Sequence, residues 1–278
     1  MYDKADFFIC EDKFVRTEEF NIKELEKGFS VYEVVKITDG IPLFLQDHLN
    51  RFHQSAALKN VKIPYTDIEI ENKIHRLADI NDMKNGRLKF AVRFYEGTTK
   101  LIMFFLEPIN PSIEDYKSGV KIISAKAERK NPNAKIINHD LRNSINKLKK
   151  DADVFEVLLV NSEGIITECS KSNIFFVKNG IIYTPFSKDV LSGITRHYIF
   201  KTASEKGIDL RERNIRINEV DSFESAFITG TSIGVLPVSV IDDIAYSVPD
   251  GTVNILSEAY LKTVESYILS KKMRKPRT

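Results

Sequence analysis

A polar segment near the middle of the chain constrains the fold most, because it separates two stretches with different patterns. Residues 107–119 read EPINPSIEDYKSG, and their two prolines, closing glycine and many polar side chains are typical of a linker between domains. Strand-like and helix-like patterns alternate before this segment, and strand-like runs dominate after it. We therefore predict an α/β (α+β) fold with two domains, residues 1–112 and 113–278.

The first stretch contains one clear strand pattern and one clear helix pattern. Residues 31–37 (VYEVVKI) alternate and are rich in β-branched side chains, which predicts a strand. Apolar residues recur at helical spacing over residues 46–59, which predicts an amphipathic helix. A second helix is predicted over residues 68–80, and two further strands over residues 87–94 and 101–106.

The second stretch is predicted to hold several strands and three helices. The strands are predicted at residues 120–125, 156–160, 173–177, 181–184 and 226–229. The helices are predicted at residues 141–152, 194–206 and 252–270.

Composition excludes several classes of protein. Apolar residues make up 42% of the 278 and charged residues 29%, as in globular rather than disordered chains. The net charge of +2 is too balanced to indicate a nucleic-acid or membrane-surface partner. Two cysteines cannot build a disulfide framework or a multi-cysteine zinc site, and no motif indicates a metal. No apolar run reaches the ~18 residues of a membrane span, and no signal-peptide pattern opens the chain, so we expect a cytoplasmic protein.

Two loops of small residues have backbone N–H groups that can bind an anion. Residues 191–196 begin a predicted helix, where unbonded N–H groups and the positive end of the helix dipole favour phosphate. Residues 229–232 follow a predicted strand, which is another place where N–H groups converge. An ordinary helix start and an ordinary turn explain the same two loops without a ligand.

Three charged residues stand in mainly apolar surroundings. Arg51 lies at the edge of the apolar face of helix 46–59, where a guanidinium can grip phosphate through two hydrogen bonds. Glu168 ends an apolar run, and a buried carboxylate there needs a cation or donors. Lys135 is the single charged residue of residues 131–138, and burial favours the neutral amine that Schiff-base formation requires. A solvent-exposed side chain is the simpler interpretation of each residue by itself.

Read in chain order, these motifs resemble those of the class IV pyridoxal-phosphate aminotransferases, which include D-amino-acid aminotransferase, branched-chain aminotransferase and aminodeoxychorismate lyase. The matching segments are VYEVVK at 31–36, H-x-x-R at 48–51 with Ser55, K-x-x-N at 135–138, Glu156 with the block 161–175, GITR at 193–196, and TGTS at 229–232 followed by Pro237. Six motifs in the family's order argue against coincidence.

The resemblance implies the two-domain type IV fold of pyridoxal-phosphate enzymes, a homodimer, and pyridoxal 5'-phosphate as cofactor. It implies that Lys135 holds the cofactor as a Schiff base and carries a proton between substrate and cofactor. Glu168 would pair with the pyridine nitrogen and keep the ring electron-accepting.

The remaining implied ligands divide between the cofactor phosphate and the substrate. The phosphate ligands implied by the resemblance are Arg51, Ile194, Thr195 and Thr231. Tyr32 would lie near the substrate carboxylate or at the edge of the phosphate site, and the backbone at Thr231 and Ser232 would also receive the substrate carboxylate.

A second frame of the K-x-x-N motif ends at Asn143 and would place Asp140 at the lysine position, which implies an inactive protein. Lys135 lies 21 residues before Glu156, and the strand–turn–strand that leads to Glu168 then follows without strain. We therefore predict that Lys135, in the first frame, is the lysine that binds the cofactor.

The sequence departs from the family where substrate would bind. The glycine-rich stretch before the first-strand motif is shortened to EKGFSVY at residues 26–32, and the arginine–histidine pair of D-amino-acid aminotransferases has no histidine here. Residues 87–89 read RLK, where the branched-chain type has tyrosine, isoleucine and arginine. Arg87, Lys89 and Arg93 are therefore rival ligands of a substrate carboxylate, and alternation places all three on one strand face.

We predict an aminotransferase that acts on an amino acid and a 2-keto acid by ping-pong transamination. Two alternatives remain open. One is aminodeoxychorismate lyase, which eliminates pyruvate with the same cofactor. The other is a homologue that binds pyridoxal 5'-phosphate but is catalytically silent.

Overall fold

The computed structural model describes residues 2 and 4–274, the side chain of Arg274 excepted, and shows two compact units, each with one β-sheet. The first unit comprises the chain up to residue 109, residues 134–137 and the chain from residue 264. The second comprises residues 110–133 and 138–263. The mixed α/β class is as predicted, whereas the domain boundary at residues 112 and 113 stays a prediction.

The sheet of the first unit is antiparallel throughout. Its strands are β1 (Phe7–Cys10), β2 (Lys13–Arg16), β3 (Phe29–Thr38), β4 (Ile41–Pro42), β5 (Gly86–Tyr95) and β6 (Thr98–Leu106). They lie in the order β2-β1-β6-β5-β3-β4. The register of β3 and β5 is continuous, so alternate residues of β5 keep to one face of the sheet.

Two helices cover one face of this sheet. Helix α1 (Leu45–Ala57) buries the apolar face predicted for residues 46–59, and α2 (Asp67–Ile80) starts with a capping box between Thr66 and Glu69. Phe52 of α1 is fully buried and meets Phe90 edge-on, with 5.0 Å between the ring centroids. Removing a buried phenylalanine ring costs about 3–5 kcal/mol, so this contact fixes α1 firmly on the sheet.

Residues 134–137 add an extended segment to the edge of β3. Val31 and Ile136 form an isolated antiparallel bridge, and the Tyr32 N–H donates to the Lys135 carbonyl at 3.1 Å. This edge is accessible because β4 pairs only with the C-terminal end of β3. The segment that carries the predicted reactive lysine is thereby tied to the first-strand motif.

The second unit surrounds a larger mixed sheet. Its helices are α3 (Ile113–Ser118), α4 (His139–Ala152), α5 (Ile194–Glu205) and the N-terminal part of α6 (Gly251–Arg274), whose residues from 264 onward belong to the first unit. Its strands are β7 (Val120–Lys126), β8 (Glu156–Val160), β9 (Ile166–Cys169), β10 (Asn173–Lys178), β11 (Ile181–Thr184), β12 (Leu210–Glu212), β13 (Ser225–Gly230), β14 (Gly234–Ile241) and β15 (Ile244–Ala245). The order is β12-β11-β10-β13-β14-β7-β8-β9, with β15 paired to β14. The pairs β11–β12, β14–β7 and β7–β8 are parallel, and the others are antiparallel.

The predicted strands and helices are confirmed, with ends that differ by a few residues. Residues 107–119 are not an unstructured connection throughout, because α3 forms there. Ser112 caps its first turn and Asp115 completes a capping box, so these two polar residues favour the helix. None of the helices in the described part of the chain has both the length and the apolar character to cross a membrane.

Candidate active site

Lys135 lies beside Tyr32 in the first unit. The Lys135 Nζ is 5.2 Å from the centroid of the Tyr32 ring, and the lysine is half-buried. The Lys135 N–H donates to Oγ of Ser55, on α1, at 3.0 Å. Its carbonyl accepts from β3 and its N–H is bound by α1, so the backbone of the predicted attachment residue is fixed from two sides.

Arg51 is held by a buried carboxylate that the sequence analysis did not single out. Arg51 Nε donates to Glu33 Oε1 at 2.7 Å, and Nη2 donates to Oε2 at 2.7 Å. Burial alone would raise the pKa of Glu33, but the Arg51 charge and hydrogen bonds from Arg51 and His48 hold the pKa well below its ordinary value. The edge of the guanidinium formed by Nε and Nη2 is therefore taken by Glu33, and a phosphate has to approach Arg51 by another edge.

His48 completes this buried group. Its Nδ1 is 2.7 Å from Glu33 Oε2, and because Glu33 is ionised, Nδ1 carries the proton of that hydrogen bond. Burial lowers the pKa of His48 despite the neighbouring carboxylate, so the imidazole is neutral near pH 7. Its Nε2 is buried without a hydrogen-bond partner among the described residues.

The three rival basic residues lie on one face of β5, as alternation predicts, but two of them have partners elsewhere. Arg93 Nη1 lies 3.1 Å from a carboxylate oxygen of Glu24. Arg87 Nη1 donates to the carbonyl of Glu107 at 2.6 Å. These contacts hold both guanidinium groups at the ends of the strand.

Lys89, the third rival, lies next to the ring that contacts Lys135. Lys89 Nζ is 4.6 Å from the centroid of the Tyr32 ring and 5.7 Å from that of Phe104. The residue is only 4% exposed. Tyr32 is thus the common neighbour of two lysine side chains.

In the second unit, the predicted need of Glu168 for a cation is met by Arg129. Arg129 Nε lies 3.1 Å from Glu168 Oε1, and Arg129 Nη2 donates to the carbonyl of Ser170 at 2.8 Å. Glu168 Oε2 also accepts from the Leu191 N–H at 3.3 Å. Sequence reasoning missed Arg129 because it lies in a polar loop, where charged residues are common.

Asn173 explains why a glycine precedes α5. Its Nδ2 donates to the Leu191 carbonyl at 3.0 Å, and a Cβ on Gly193 would lie 2.1 Å from Asn173 Oδ1. Glycine at the N-cap offers no side-chain oxygen, and no side chain caps this helix in the described structure. The first-turn N–H groups of Ile194 and Thr195 therefore face no competing side-chain cap at the predicted phosphate site.

Thr195 and the loop after β13 supply the other predicted hydroxyl groups. Thr195 is buried, and its Oγ1 is 3.5 Å from the hydroxyl of Tyr260 on α6. Thr231 and Ser232 are half-buried in the turn that joins β13 to β14. Burial raises the pKa of Tyr260, so its hydroxyl is neutral and available as a donor.

Arg196, which ends the GITR motif, has a structural role. It is buried, and its guanidinium donates to Thr184 Oγ1 at 2.9 Å, to the Pro185 carbonyl at 2.9 Å and to Glu212 at 2.6 Å. These bonds anchor the first turn of α5 to β11 and β12.

The chain is similar in sequence to known aminotransferases. Residues 30–241 match the model of the family described as amino-transferase class IV. D-alanine aminotransferase of Bacillus licheniformis is 28% identical over 254 residues, covering 87% of this chain and 89% of that protein. Branched-chain-amino-acid aminotransferase of Pseudomonas aeruginosa is 30% identical over 239 residues, covering 78% of each. Aminodeoxychorismate lyase of Bacillus subtilis is 24% identical over 264 residues, covering 88% of each.

The fold is shared with solved branched-chain amino acid aminotransferases. The Escherichia coli enzyme superimposes with a TM-score of 0.83 at 21% identity, covering 94% of this chain and 95% of that one. The Thermoproteus uzoniensis enzyme with norvaline gives 0.82 at 22% identity, covering 95% of this chain and 97% of that one. These likenesses confirm the predicted fold. Because the family model spans most of the chain, the protein belongs to the class IV aminotransferases.

Proposed function

We propose that the protein is a pyridoxal-phosphate-dependent aminotransferase in which Lys135 is the residue bonded to the cofactor. Family membership supports aminotransferase activity, and class IV aminotransferases use this cofactor. One observation of the structure carries the choice of lysine. The backbone of Lys135 is bound at both its N–H and its carbonyl, and its amine lies against the Tyr32 ring.

The residues present fit the chemistry of the cofactor. The aldehyde needs an amine, and Lys135 is half-buried. The pyridine nitrogen needs a carboxylate, and Glu168 is paired with a cation. The phosphate needs unbonded N–H groups, and α5 begins without a side-chain cap. When bound, pyridoxal 5'-phosphate supplies an electron-accepting ring. Glu168, which Arg129 holds in place, would accept a hydrogen bond from the protonated pyridine nitrogen.

The phosphate would be bound by groups from three segments. The Ile194 and Thr195 amides and the Thr195 hydroxyl lie at the start of α5, and Thr231 lies in the turn after β13. Arg51 adds a cation whose orientation is set by Glu33. Asn173 and Gly193 contribute indirectly, since they shape the loop before α5.

Lys135 also has a role in the proton transfer. With a substrate amine in its place, Lys135 Nζ would act as the base that takes the proton from the substrate Cα and passes it to the cofactor. Tyr32 limits where this amine can go because its ring packs beside it.

Of the three rival carboxylate ligands, we propose Lys89. Its Nζ and that of Lys135 share the Tyr32 ring as a neighbour, whereas Arg93 is paired with Glu24. A substrate bonded close to Lys135 Nζ can extend its carboxylate toward Lys89. Ser232 is proposed as a second, weaker contact through its backbone.

The proposed activity is tested by half-reactions with single amino donors. The holoenzyme is mixed with a panel of D- and L-amino acids, and keto-acid release is measured with no acceptor present. Lys135→Ala should abolish release, and Lys130→Ala, which changes an exposed lysine nearby, should not.

Three outcomes separate the alternatives. Stoichiometric keto-acid release that becomes catalytic when a 2-keto acid is added supports the aminotransferase. Pyruvate release from aminodeoxychorismate without any acceptor selects the lyase. Cofactor binding with no reaction toward any donor selects the silent homologue.

We further propose that the protein is a cytoplasmic homodimer. The resemblance to the family supports the dimer, and the balanced charge and two cysteines are compatible with the cytoplasm. Light scattering of the purified protein tests the first proposal, and cell fractionation tests the second.

A further inference from the structure

Ser55 is a fully buried serine whose hydroxyl contacts the backbone of Lys135. Its Oγ accepts the Lys135 N–H at 3.0 Å, and its exposed fraction is 0%. Ser55 lies four residues after Arg51 on α1, so the two side chains emerge from the same side of the helix. One helix therefore carries both a proposed phosphate ligand and a contact to the proposed attachment residue.

The Ser55 hydroxyl binds the backbone of residue 135 on the side that the neighbouring sheet does not bind. The Tyr32 N–H donates to the Lys135 carbonyl, and the Ile137 N–H donates to the Ser30 carbonyl at 3.1 Å. These backbone bonds pin the C-terminal side of residue 135 to β3. The bond to Ser55 holds the N-terminal side, where residues 128–133 form a loop without helix or strand.

We propose that Ser55 is a positioning residue that fixes the direction of the Lys135 side chain toward the cofactor aldehyde. The inference rests on the proposed role of Lys135. Bond formation joins Lys135 Nζ to the aldehyde carbon as C=N, and the aldehyde oxygen leaves as water with the two hydrogens of the neutral amine. The rate of this bond formation depends on how often the Lys135 amine is close to the aldehyde carbon and correctly oriented.

Removal of the Ser55 hydroxyl should slow this step without weakening non-covalent binding. The Ser55→Ala variant loses one hydrogen bond to a backbone that two other bonds still hold. We expect bond formation to slow by about five-fold, the factor that one ordinary hydrogen bond represents.

The experiment compares a covalent ligand with a non-covalent one. Full-length protein freed of cofactor is mixed with pyridoxal 5'-phosphate, and the rate of C=N formation is followed by absorbance. The dissociation constant of pyridoxine 5'-phosphate, which has no aldehyde, is measured in parallel. The matched control is Ser225→Ala, because Ser225 is also a buried serine and its Oγ has no hydrogen-bond partner in the described structure.

The expected result is slower C=N formation in Ser55→Ala, a dissociation constant for pyridoxine 5'-phosphate within about two-fold of the parent protein, and no change in Ser225→Ala. Hydrogen exchange should also speed up in the peptide that contains residue 135. An unchanged rate overturns the proposal. So does an equal loss of affinity for pyridoxine 5'-phosphate, which indicates a general structural role.

The two proposals fail in different ways. Borohydride reduction of the parent protein shows which lysine forms the bond, whatever Ser55 does. Modification of another lysine refutes the role of Lys135, whereas modification of Lys135 with an unaffected Ser55→Ala rate refutes only the role of Ser55.

Discussion

Arg51 and Glu33 form a buried two-point ion pair, in which Nε and Nη2 of the guanidinium each lie 2.7 Å from one carboxylate oxygen. Glu33 is on β3 and Arg51 is on α1, so the pair joins the first-strand motif to the H-x-x-R motif. The two motifs follow one another in the sequence, and the ion pair is the contact that joins them in the folded protein.

Loss of the Glu33 charge should destabilise the protein, because Arg51 is then a buried cation without its counter-ion. We expect Glu33→Gln to lower the free energy of unfolding by about 3 kcal/mol, measured by urea denaturation of the full chain. Glu19→Gln, which alters an exposed carboxylate, is the control. A loss no larger than that of the control would show that the pair contributes little.

The same carboxylate predicts how stability depends on pH. The pKa of Glu33 is lower in the folded protein than the ordinary value of 4.5, so the unfolded chain binds the proton first as the pH falls. The stabilisation is fully present above 4.5 and is lost progressively at lower pH. Denaturation series above and below this value should therefore show a steeper decline in the parent protein than in Glu33→Gln. Parallel declines would contradict the assignment.

Arg129 should matter for catalysis although it is not a proposed ligand of the cofactor. In Arg129→Gln, Glu168 loses the cation that lies 3.1 Å from it, so the carboxylate is held less firmly and its proposed pairing with the pyridine nitrogen weakens. We expect the half-reaction rate to fall by about ten-fold. Lys130→Gln is the matched control, and an equal effect of both substitutions would contradict the role of Arg129.

Gly193 should be required for phosphate binding. In Gly193→Ala the new methyl group would overlap Asn173 Oδ1, so either the loop before α5 or the Asn173 amide that binds this loop at the Leu191 carbonyl must shift. We expect the dissociation constant of pyridoxine 5'-phosphate to rise by about ten-fold or more, since the Ile194 and Thr195 amides move with the loop. Gly251→Ala is the control, because nothing lies within 4 Å of a Cβ at that position. Unchanged affinity in Gly193→Ala would show that the loop tolerates the methyl group.

Lys89 should dominate the binding of the substrate carboxylate. We expect Lys89→Met to raise KM for the amino donor by about ten-fold or more, with a smaller effect for Arg93→Met, whose guanidinium is paired with Glu24. Steady-state kinetics of the two variants with one donor provide the comparison. A larger effect of Arg93→Met than of Lys89→Met would contradict this choice and would indicate that Arg93 binds the carboxylate.

The sequence predicted strands and helices well where a single pattern dominates. Residues 31–37 alternate cleanly and became the centre of β3. Strand β14 was missed because Pro237 lies inside it, and proline usually argues against a central strand. Strand β9 corresponds to the second strand of the strand–turn–strand that leads to Glu168, whose place the sequence indicated but whose bounds it did not.

The sequence predicted which residues form the candidate site, but it did not predict which side chains pair with them. Motif order singled out Lys135, Arg51 and Glu168. Their partners Glu33 and Arg129 depend on strand register and on the path of a loop, which no local pattern encodes. Glu33 did carry a signal, since a carboxylate inside an apolar strand is the feature that drew attention to Glu168.

The most direct measurement for the central claim is borohydride reduction of the purified holoenzyme, followed by proteolysis and mass spectrometry of the pyridoxyl-labelled peptide. We predict a single labelled residue, Lys135, in the peptide that contains residues 134–137. A label on any other lysine, or no label on a protein that retains the cofactor, would contradict the assignment of Lys135.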